Sequence, residues 1–285
     1  MIGIFDSGIG GLTVLKEVKR ALPGYDLVYF GDTARLPYGN KSAELIRQYA
    51  LEDAEFLLEQ GAQIIVVACN SASAVALDFL QEKIDVPIFG VIKPAVKEAL
   101  QTTKNGRIGV IGTRATVNSK VYEREIMGQL SESQEEAVDD LKIPAFMRKG
   151  KKVEGSSRKI EVFSQAAPLL VPLIEEGYAK KGETKRILKR YLLPLKMKQV
   201  DTLILGCTHY PIIKDIIQDK FRRAKLIDPA LGVAQELKQF LQKNPELDRS
   251  LSKRGQEKFF VSDLTEHTED IARLFLGRKV KLNKI

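Results

Sequence analysis

The sequence has few residues of the kinds that hold metals or covalent cross-links. Its 285 residues include two cysteines, two histidines and no tryptophan. The spacing of a zinc site is absent from Cys69, Cys207, His209 and His267. Two cysteines also cannot form a disulfide framework that stabilises a chain of this length. The composition therefore predicts neither a metal centre nor a disulfide scaffold.

Long apolar runs are also missing. No run approaches the roughly 18 residues needed to span a membrane, and the apolar stretches at 64–69 and 169–174 have the size of core segments. The amino terminus lacks a basic start and reaches Asp6 and Gly8 before any apolar segment develops, so no secretory signal is predicted. We expect a cytoplasmic protein without a membrane partner.

Neither sign of charge dominates. The chain has 45 basic and 37 acidic residues, which gives a formal net charge of +8. A basic balance permits an acidic partner, but nearly as many anions offset these cations. We interpret the charges as a solvated surface and do not expect nucleic acid as a partner. With 44% hydrophobic and 29% charged residues, the composition is typical of a globular protein.

Short β-branched runs alternate along the chain with longer amphipathic stretches. The runs are apolar on both sides, as in parallel strands that are covered on both faces. The pattern predicts an α/β fold with two similar, doubly wound parallel-sheet domains and an active site in the cleft between them. The predicted strands are Ile2–Phe5, Leu27–Phe30, Ile64–Ala68, Val86–Gly90, Arg107–Ile111, Ile160–Phe163, Thr202–Leu205, Lys225–Ile227 and Lys258–Val261. The predicted helices include Gly11–Ala21, Ser42–Glu59, Ala72–Lys83, Pro94–Gln101, Ile212–Phe221 and Leu231–Gln242.

A weak internal repeat supports two similar halves. Ile2–Ser7 resembles Ile108–Thr113, because each is an apolar strand that ends at a hydroxyl residue. Val66–Cys69 resembles Ile204–Cys207, because each is an apolar strand that ends at cysteine. The second pair lies about 30 residues further apart than the first, which predicts an insertion at about 131–159.

The expected domains follow from this repeat. The first is discontinuous and comprises 1–93 plus 208–285, and the second comprises 94–207 with the insertion. The insertion is acidic in its first part and basic in its second, so we expect it to be exposed and peripheral to the cleft.

Polar and reactive residues follow several predicted strands at their carboxyl ends. They are Asp6–Ser7, Cys69–Ser71, Thr113–Thr116 and Cys207–His209. Ligands of parallel α/β proteins bind at such ends, where loops lead into helices. A single free cysteine is usually a small buried hydrophobe. Two cysteines in equivalent positions, each followed by hydrogen-bonding residues at a helix start, predict a pair of reactive thiols.

Two glycine-containing segments complete the predicted site. The run Gly8–Gly11 matches neither a dinucleotide-binding fingerprint nor a Walker A loop, and it is interpreted as backbone that approaches a small anion at a helix start. Gly31–Asp32 and Pro37–Gly39 are expected to form a rigid loop with one phenol, which makes a wall of the pocket rather than supplying a catalyst.

Several blocks of sequence occur together and in order. They are FDSGIGGL at 5–12, GDTARLPYG at 31–39, ACNSAS at 68–73 and LGCTHYP at 205–211. With these blocks the sequence resembles the cofactor-independent glutamate racemases over nearly its whole length. The resemblance implies interconversion of L- and D-glutamate without cofactor or metal, supply of D-glutamate for peptidoglycan and hence for cell wall and cell shape, and assembly as a homodimer.

The resemblance also implies roles for individual residues. Cys69 and Cys207 match the two catalytic cysteines, which act as acid and base in a 1,1-proton transfer. Asp6 and His209 match polar neighbours that assist the first and the second thiol, and Glu175 matches a further acidic residue with a catalytic role. The residues matched to substrate binding are Asp6, Ser7, Pro37, Tyr38, Gly39, Asn70, Ser71, Thr113, Thr116, Thr208 and His209.

The sequence departs from the family pattern in three places. Ser71 replaces a usual threonine but keeps the hydroxyl, the segment 166–170 lacks a usual cysteine, and the insertion at 131–159 is not typical. An aspartate racemase or related isomerase is an alternative, although the His-Tyr-Pro continuation at 209–211 favours glutamate. A regulatory binding protein on the same fold is a second alternative, and retention of both cysteines argues against it.

Overall fold

The computed structural model describes residues 1–140 and 159–285, and it describes side chains for 1–131 and 159–285. The strands in these residues are β1 (Ile2–Asp6), β2 (Leu27–Gly31), β3 (Ile64–Val67), β4 (Ile88–Gly90), β5 (Arg107–Gly112), β6 (Glu161–Ala166), β7 (Thr202–Gly206), β8 (Lys225–Ile227), β9 (Glu257–Val261) and β10 (Asn283–Lys284). The helices are α1 (Leu12–Ala21), α2 (Ala43–Glu59), α3 (Asn70–Val75), α4 (Leu77–Lys83), α5 (Ile92–Thr102), α6 (Arg114–Asn118), α7 (Val121–Asp140), α8 (Leu170–Glu175), α9 (Gly182–Met197), α10 (Lys214–Lys220), α11 (Pro229–Lys243), α12 (Pro245–Ser250) and α13 (Glu266–Leu276).

The strands form two sheets in which every described pairing is parallel. The first sheet has the order β10-β9-β2-β1-β3-β4, and the second has the order β6-β5-β7-β8. Four strands of the first sheet, β2-β1-β3-β4, thus repeat the order of the second. The predicted α/β class with two similar parallel sheets is confirmed.

Alternate residues of strand β3 pack into different parts of the core. Ile64 and Val66 belong to one buried cluster, whereas Ile65 and Val67 belong to another. Side chains of a strand alternate between the two faces of its sheet, and both faces here are covered by helices. A strand covered in this way has to be apolar at every position, and the polar residues Asn70 and Ser71 accordingly come after β3 has ended.

The two halves differ in the length of their first crossover. Twenty residues separate β1 from β2, whereas 48 separate β5 from β6. The added length includes the segment 131–159 that was predicted to be an insertion. Helix α7 extends into this segment as far as Asp140, and residues 141–158 lie outside the described part of the chain.

Three features differ from the sequence prediction. The helix predicted at Ala72–Lys83 is interrupted at Ala76, whose φ of −120° and ψ of −12° separate α3 from α4. The two-residue strand β10 was not predicted, since two residues carry no periodicity. Strand β8 lies in the segment 208–285 predicted for the first domain, but it pairs with β7 in the second sheet. The remainder of the domain division stays a prediction.

The loop between α5 and β5 is fastened to the start of β7 by one carboxylate. Asp201 accepts hydrogen bonds from the Thr103 hydroxyl at 2.7 Å and from the backbone N–H groups of Lys104 and Asn105 at 2.7 and 2.8 Å. Partial burial would raise the pKa of Asp201, but these hydrogen bonds outweigh it and lower the pKa. Ionised Asp201 therefore stabilises the folded chain.

We expect Asp201→Asn to lower the free energy of unfolding by about 1–2 kcal/mol at pH 7, because charge-assisted hydrogen bonds are lost. A carboxyl whose pKa is lowered by folding contributes stability above its unfolded pKa and loses it as the pH falls. The difference between wild type and variant should therefore shrink below about pH 4. Urea denaturation over a range of pH measures this difference in the free energy of unfolding. The control is Asp215→Asn, at an exposed position of α10; an equal loss in both variants would contradict the assignment.

Candidate active site

A cavity lies at the carboxyl ends of β1, β3, β5 and β7. It leaves about 390 Å³ free of protein atoms, including its open mouth. Eleven residues predicted for the site line it, namely Ser7, Pro37, Gly39, Cys69, Asn70, Ser71, Thr113, Glu175, Cys207, Thr208 and His209. The cavity thus joins chain segments that are distant in sequence and belong to both sheets.

Cys69 supplies one thiol of the cavity. It follows β3, precedes the first residue of α3 and is 5% exposed. Its Sγ donates a hydrogen bond to the hydroxyl of Ser7, at 3.6 Å. Burial and the nearby charge of Asp6 raise the pKa of Cys69 to about 12. The group is therefore a neutral thiol at physiological pH.

Cys207 supplies the second thiol, at the equivalent position after β7, and is 6% exposed. Its Sγ lies 3.8 Å from Nδ1 of His209, and Nε2 of the same ring lies 2.8 Å from the Glu175 carboxylate. Burial alone would lower the pKa of His209, but the hydrogen bonds to Cys207 and Glu175 raise it to about 10. The ring is therefore an imidazolium at neutral pH, with a hydrogen for each partner.

Asp6 lies beneath the cavity rather than in its lining. Its carboxylate accepts hydrogen bonds from the N–H of Gly8 at 3.1 Å and from the hydroxyl of Thr208 at 3.3 Å. Burial raises the pKa of Asp6, and the charge of His209 opposes that rise. The residue predicted to assist Cys69 thus bonds to the loop of the other thiol, and it acts on Cys69 through its charge.

Hydroxyl groups bridge the two sheets on another side of the cavity. Ser71 Oγ lies 2.9 Å from Thr113 Oγ1, which lies 3.0 Å from Thr116 Oγ1. Thr116 is buried behind Thr113 and does not line the cavity, unlike the prediction. Gly39 packs so closely on Thr113 that an added Cβ would come within 2.6 Å of the threonine Cβ. Glycine is therefore required there.

Asn70 presents one end of its amide to the cavity. Its Oδ1 accepts a hydrogen bond from the buried hydroxyl of Tyr122, at 2.8 Å. This contact fixes the side chain and leaves the amide N–H₂ as the donor for a ligand.

Tyr38 is the third predicted residue outside the lining. Its side chain is fully buried, and its hydroxyl lies 2.5 Å from Asp32 and 2.8 Å from Asp53. Asp32 belongs to the loop predicted as a pocket wall, whereas Asp53 was not predicted. Asp53 nevertheless carries a signal in the sequence, because it lies on the apolar stripe of α2, where a carboxylate needs a partner. Gly8, from the predicted Gly8–Gly11 run, also lines the cavity, and two lining residues were not predicted: Leu36 and Val171.

Two kinds of feature are not found in the described part of the chain. Among the side chains of residues 1–131 and 159–285, no cluster of three or more His, Cys, Asp or Glu groups could hold a metal ion. Likewise, no helix there has the length and apolarity to cross a membrane.

Comparisons with known proteins identify relatives along the whole chain. A family model described as Asp/Glu/Hydantoin racemase matches residues 2–237. A glutamate racemase from Persephonella marina is 42% identical over 284 residues, which cover 100% of this chain and 96% of the relative.

Solved structures of glutamate racemases share the fold. One isoform from Bacillus anthracis has a TM-score of 0.85 at 33% identity, with 100% of this chain and 97% of that chain covered. The enzyme from Francisella tularensis in complex with D-glutamate has a TM-score of 0.83 at 35% identity, with 100% and 96% covered. This chain and each of these enzymes thus cover nearly the whole of one another, and the expectation that 131–159 is an atypical insertion stays a prediction.

We expect His209 to remain an imidazolium well above neutral pH and Glu175→Gln to lower its pKa, because the variant removes the carboxylate partner. Nuclear magnetic resonance of the ring signals follows this titration, and His267→Gln assigns the signals because the chain has two histidines. Since folding raises the pKa from 6.5 to about 10, the pair should stabilise the fold below about pH 6.5 and lose that effect as the pH approaches 10.

The matched control is Glu176→Gln, at the next residue, which is exposed and lies 4.0 Å from His267. It should leave the titration of His209 unchanged. A neutral His209 ring at pH 7 in the wild-type protein would refute the assignment.

Proposed function

The chain belongs to the Asp/Glu/hydantoin racemase family, and we propose that it interconverts L- and D-glutamate by moving the α-proton between Cys69 and Cys207. One observation carries the proposal: two buried thiols from equivalent strand ends of the two sheets line the same cavity. The names of full-length relatives support glutamate as the substrate, as does the D-glutamate bound in the Francisella tularensis enzyme.

Each thiol serves one face of the α-carbon in this mechanism. A thiolate removes the α-proton, and the electron pair of the broken C–H bond stays on the substrate as a carbanion. The thiol on the other face then donates its proton to that carbon. The first cysteine ends as a thiol and the second as a thiolate, and proton exchange with neighbouring groups restores the starting state.

The surroundings suit Cys207 to the role of first base and Cys69 to that of first acid. The His209 imidazolium puts a positive charge 3.8 Å from the Cys207 sulfur, whereas Cys69 keeps its proton at neutral pH. The reverse direction needs Cys69 as a thiolate. The α-ammonium group of a bound amino acid is a cation that can lower the pKa of Cys69 for that step.

The carbanion also needs stabilisation, because an α-proton is a weak acid. Hydrogen-bond donors aimed at the substrate carboxylate stabilise the charge that develops there. The amide of Asn70 and the hydroxyls of Ser71, Thr113 and Thr208 are such donors in the lining. The backbone N–H groups at the start of α3 add to them.

We expect Cys69→Ala and Cys207→Ala each to lower racemisation by at least about a thousandfold, because each removes one of two obligatory proton carriers. Circular dichroism of L- and D-glutamate follows the reaction, and aspartate as substrate tests the alternative specificity. In deuterium oxide, residual exchange of the α-hydrogen should favour opposite enantiomers in the two variants, because each retains the thiol of a different face.

Both variants should keep the wild-type melting temperature within a few degrees, since replacing the –SH group by hydrogen removes little buried volume. Racemisation at the wild-type rate by either folded variant would exclude the two-thiol mechanism.

We further propose that the protein acts in the cytoplasm as a homodimer and supplies D-glutamate for peptidoglycan. Depleting it from its host should stop wall synthesis and make cells lose shape and lyse, and added D-glutamate should rescue growth where the cells can import it. Cells that grow with normal walls without another source of D-glutamate would disprove the role. Sedimentation of the purified protein measures its association state.

A further inference from the structure

A buried polar cluster stands directly behind one wall of the cavity. Tyr38 lies between Pro37 and Gly39, both of which line the cavity, but its own side chain points away from it. The tyrosine hydroxyl reaches Asp32, which follows β2, and Asp53, which lies in α2. All three side chains of this cluster have 0% exposure. The contacts that fix the Tyr38 hydroxyl therefore also fix the backbone of Pro37–Gly39, which forms this wall of the cavity.

The hydrogen atoms available at the Tyr38 hydroxyl are too few for two ionised partners. The hydroxyl oxygen lies 2.5 Å from Asp32 Oδ2 and 2.8 Å from Asp53 Oδ2. A hydroxyl has one hydrogen, which can serve one of these oxygens. If both carboxylates were ionised, the other contact would bring two sets of lone pairs together in a dry environment. One of the two carboxyl groups must therefore supply a hydrogen itself.

The other partners of the two carboxyl groups show which one is protonated. Asp32 also accepts from Arg35 Nε at 2.6 Å and from the Ser262 hydroxyl at 2.8 Å, so it has three donors in all. Apart from the Tyr38 hydroxyl, Asp53 has one donor in these contacts, Arg35 Nη2 at 3.1 Å. The richer set of donors favours the charge on Asp32.

The charges around Asp53 agree with this assignment. The groups that face it are Tyr38, Arg35, Asp32 and Glu52, the last from its own helix. Burial and the charge of Asp32 raise the pKa of Asp53 well above its usual range, against the opposing effects of Tyr38 and Arg35. With Asp53 neutral, the buried charge of Asp32 is balanced by that of Arg35, whose side chain is partly exposed, and exposed Glu52 pairs with a further nitrogen of Arg35.

We propose that Asp53 is a positioning residue that stays protonated, donates its hydrogen to the Tyr38 hydroxyl and so fixes the Pro37–Gly39 wall of the active site. Tyr38 in turn donates to Asp32. Gly39 is held against Thr113 by this arrangement, where an added Cβ would come within 2.6 Å of the threonine Cβ. A shift of the wall would therefore change the shape of the cavity on the side of Thr113. The location of the proton stands on the geometry alone, whereas the kinetic consequences rest on the proposed function.

The test compares three substitutions in the full-length protein. Asp53→Asn keeps a donor for Tyr38 and an acceptor for Arg35, so kcat/KM for glutamate should stay within about threefold of wild type across pH 6–9. Asp53→Ala removes the donor, and KM should rise by at least about tenfold with a smaller change in kcat. Asp32→Asn turns an acceptor of three hydrogen bonds into a group with its own hydrogens, and kcat/KM should fall by at least about tenfold.

Infrared spectroscopy provides a readout that does not depend on activity. The wild-type spectrum at pH 7 should contain the carbonyl stretch of a buried carboxylic acid that the Asp53→Asn spectrum lacks. The difference between the two spectra is needed because Asp6 is a second buried carboxyl group with a raised pKa.

The combined results decide the proposal. An infrared difference together with a mild effect of Asp53→Asn on kcat/KM supports the proposal. These two results are sufficient if the Asp53→Ala variant does not fold. No infrared difference, or an Asp53→Asn variant as impaired as Asp32→Asn, would overturn it. If the wild-type protein does not racemise glutamate, the proposed function fails while the infrared arm still locates the proton.

Discussion

Parallel strand pairing is the constraint on which the arrangement of this chain depends. Every strand of a parallel sheet ends at the same edge, and helices have to cover both faces so that each chain crossover can return to the start of the next strand. Strands such as β3 and β7 are buried at every position, so polar side chains can enter only at their ends. The cavity therefore receives the thiols, hydroxyls and amide of the site from residues that follow the ends of the strands.

The repeat gives the two thiols equivalent positions, but their surroundings differ. Cys69 faces the Ser7 hydroxyl and the charge of buried Asp6, whereas Cys207 faces the imidazolium of His209. A symmetric fold thus carries an asymmetric distribution of charge. Asp6 connects the two sides, because its carboxylate bonds to the loop of Cys207 while its charge acts on the thiol of Cys69.

Much of this could be predicted from the sequence, because apolar runs locate the strands and the residues after them locate the cavity. The nine predicted strands are all present, and eleven of the fourteen predicted site residues line the cavity. The remaining features depend on tertiary contacts. Which way the Tyr38 hydroxyl points depends on Asp32 and Asp53, which come from separate elements. The interruption at Ala76 and the pairing of β8 likewise follow from packing that local sequence patterns do not encode.

The unlike surroundings of the two thiols have a thermodynamic limit in the proposed reaction. L- and D-glutamate have equal free energies in water, since water is achiral, and the equilibrium constant between them is therefore unity. The ratio kcat/KM must then be the same in both directions, however different the groups at Cys69 and Cys207 are. Asymmetry can appear only as a larger kcat in one direction that is matched by a larger KM in that direction. The His209 imidazolium can thus set the occupancy of the site by each enantiomer, but it cannot shift the equilibrium between the two enantiomers.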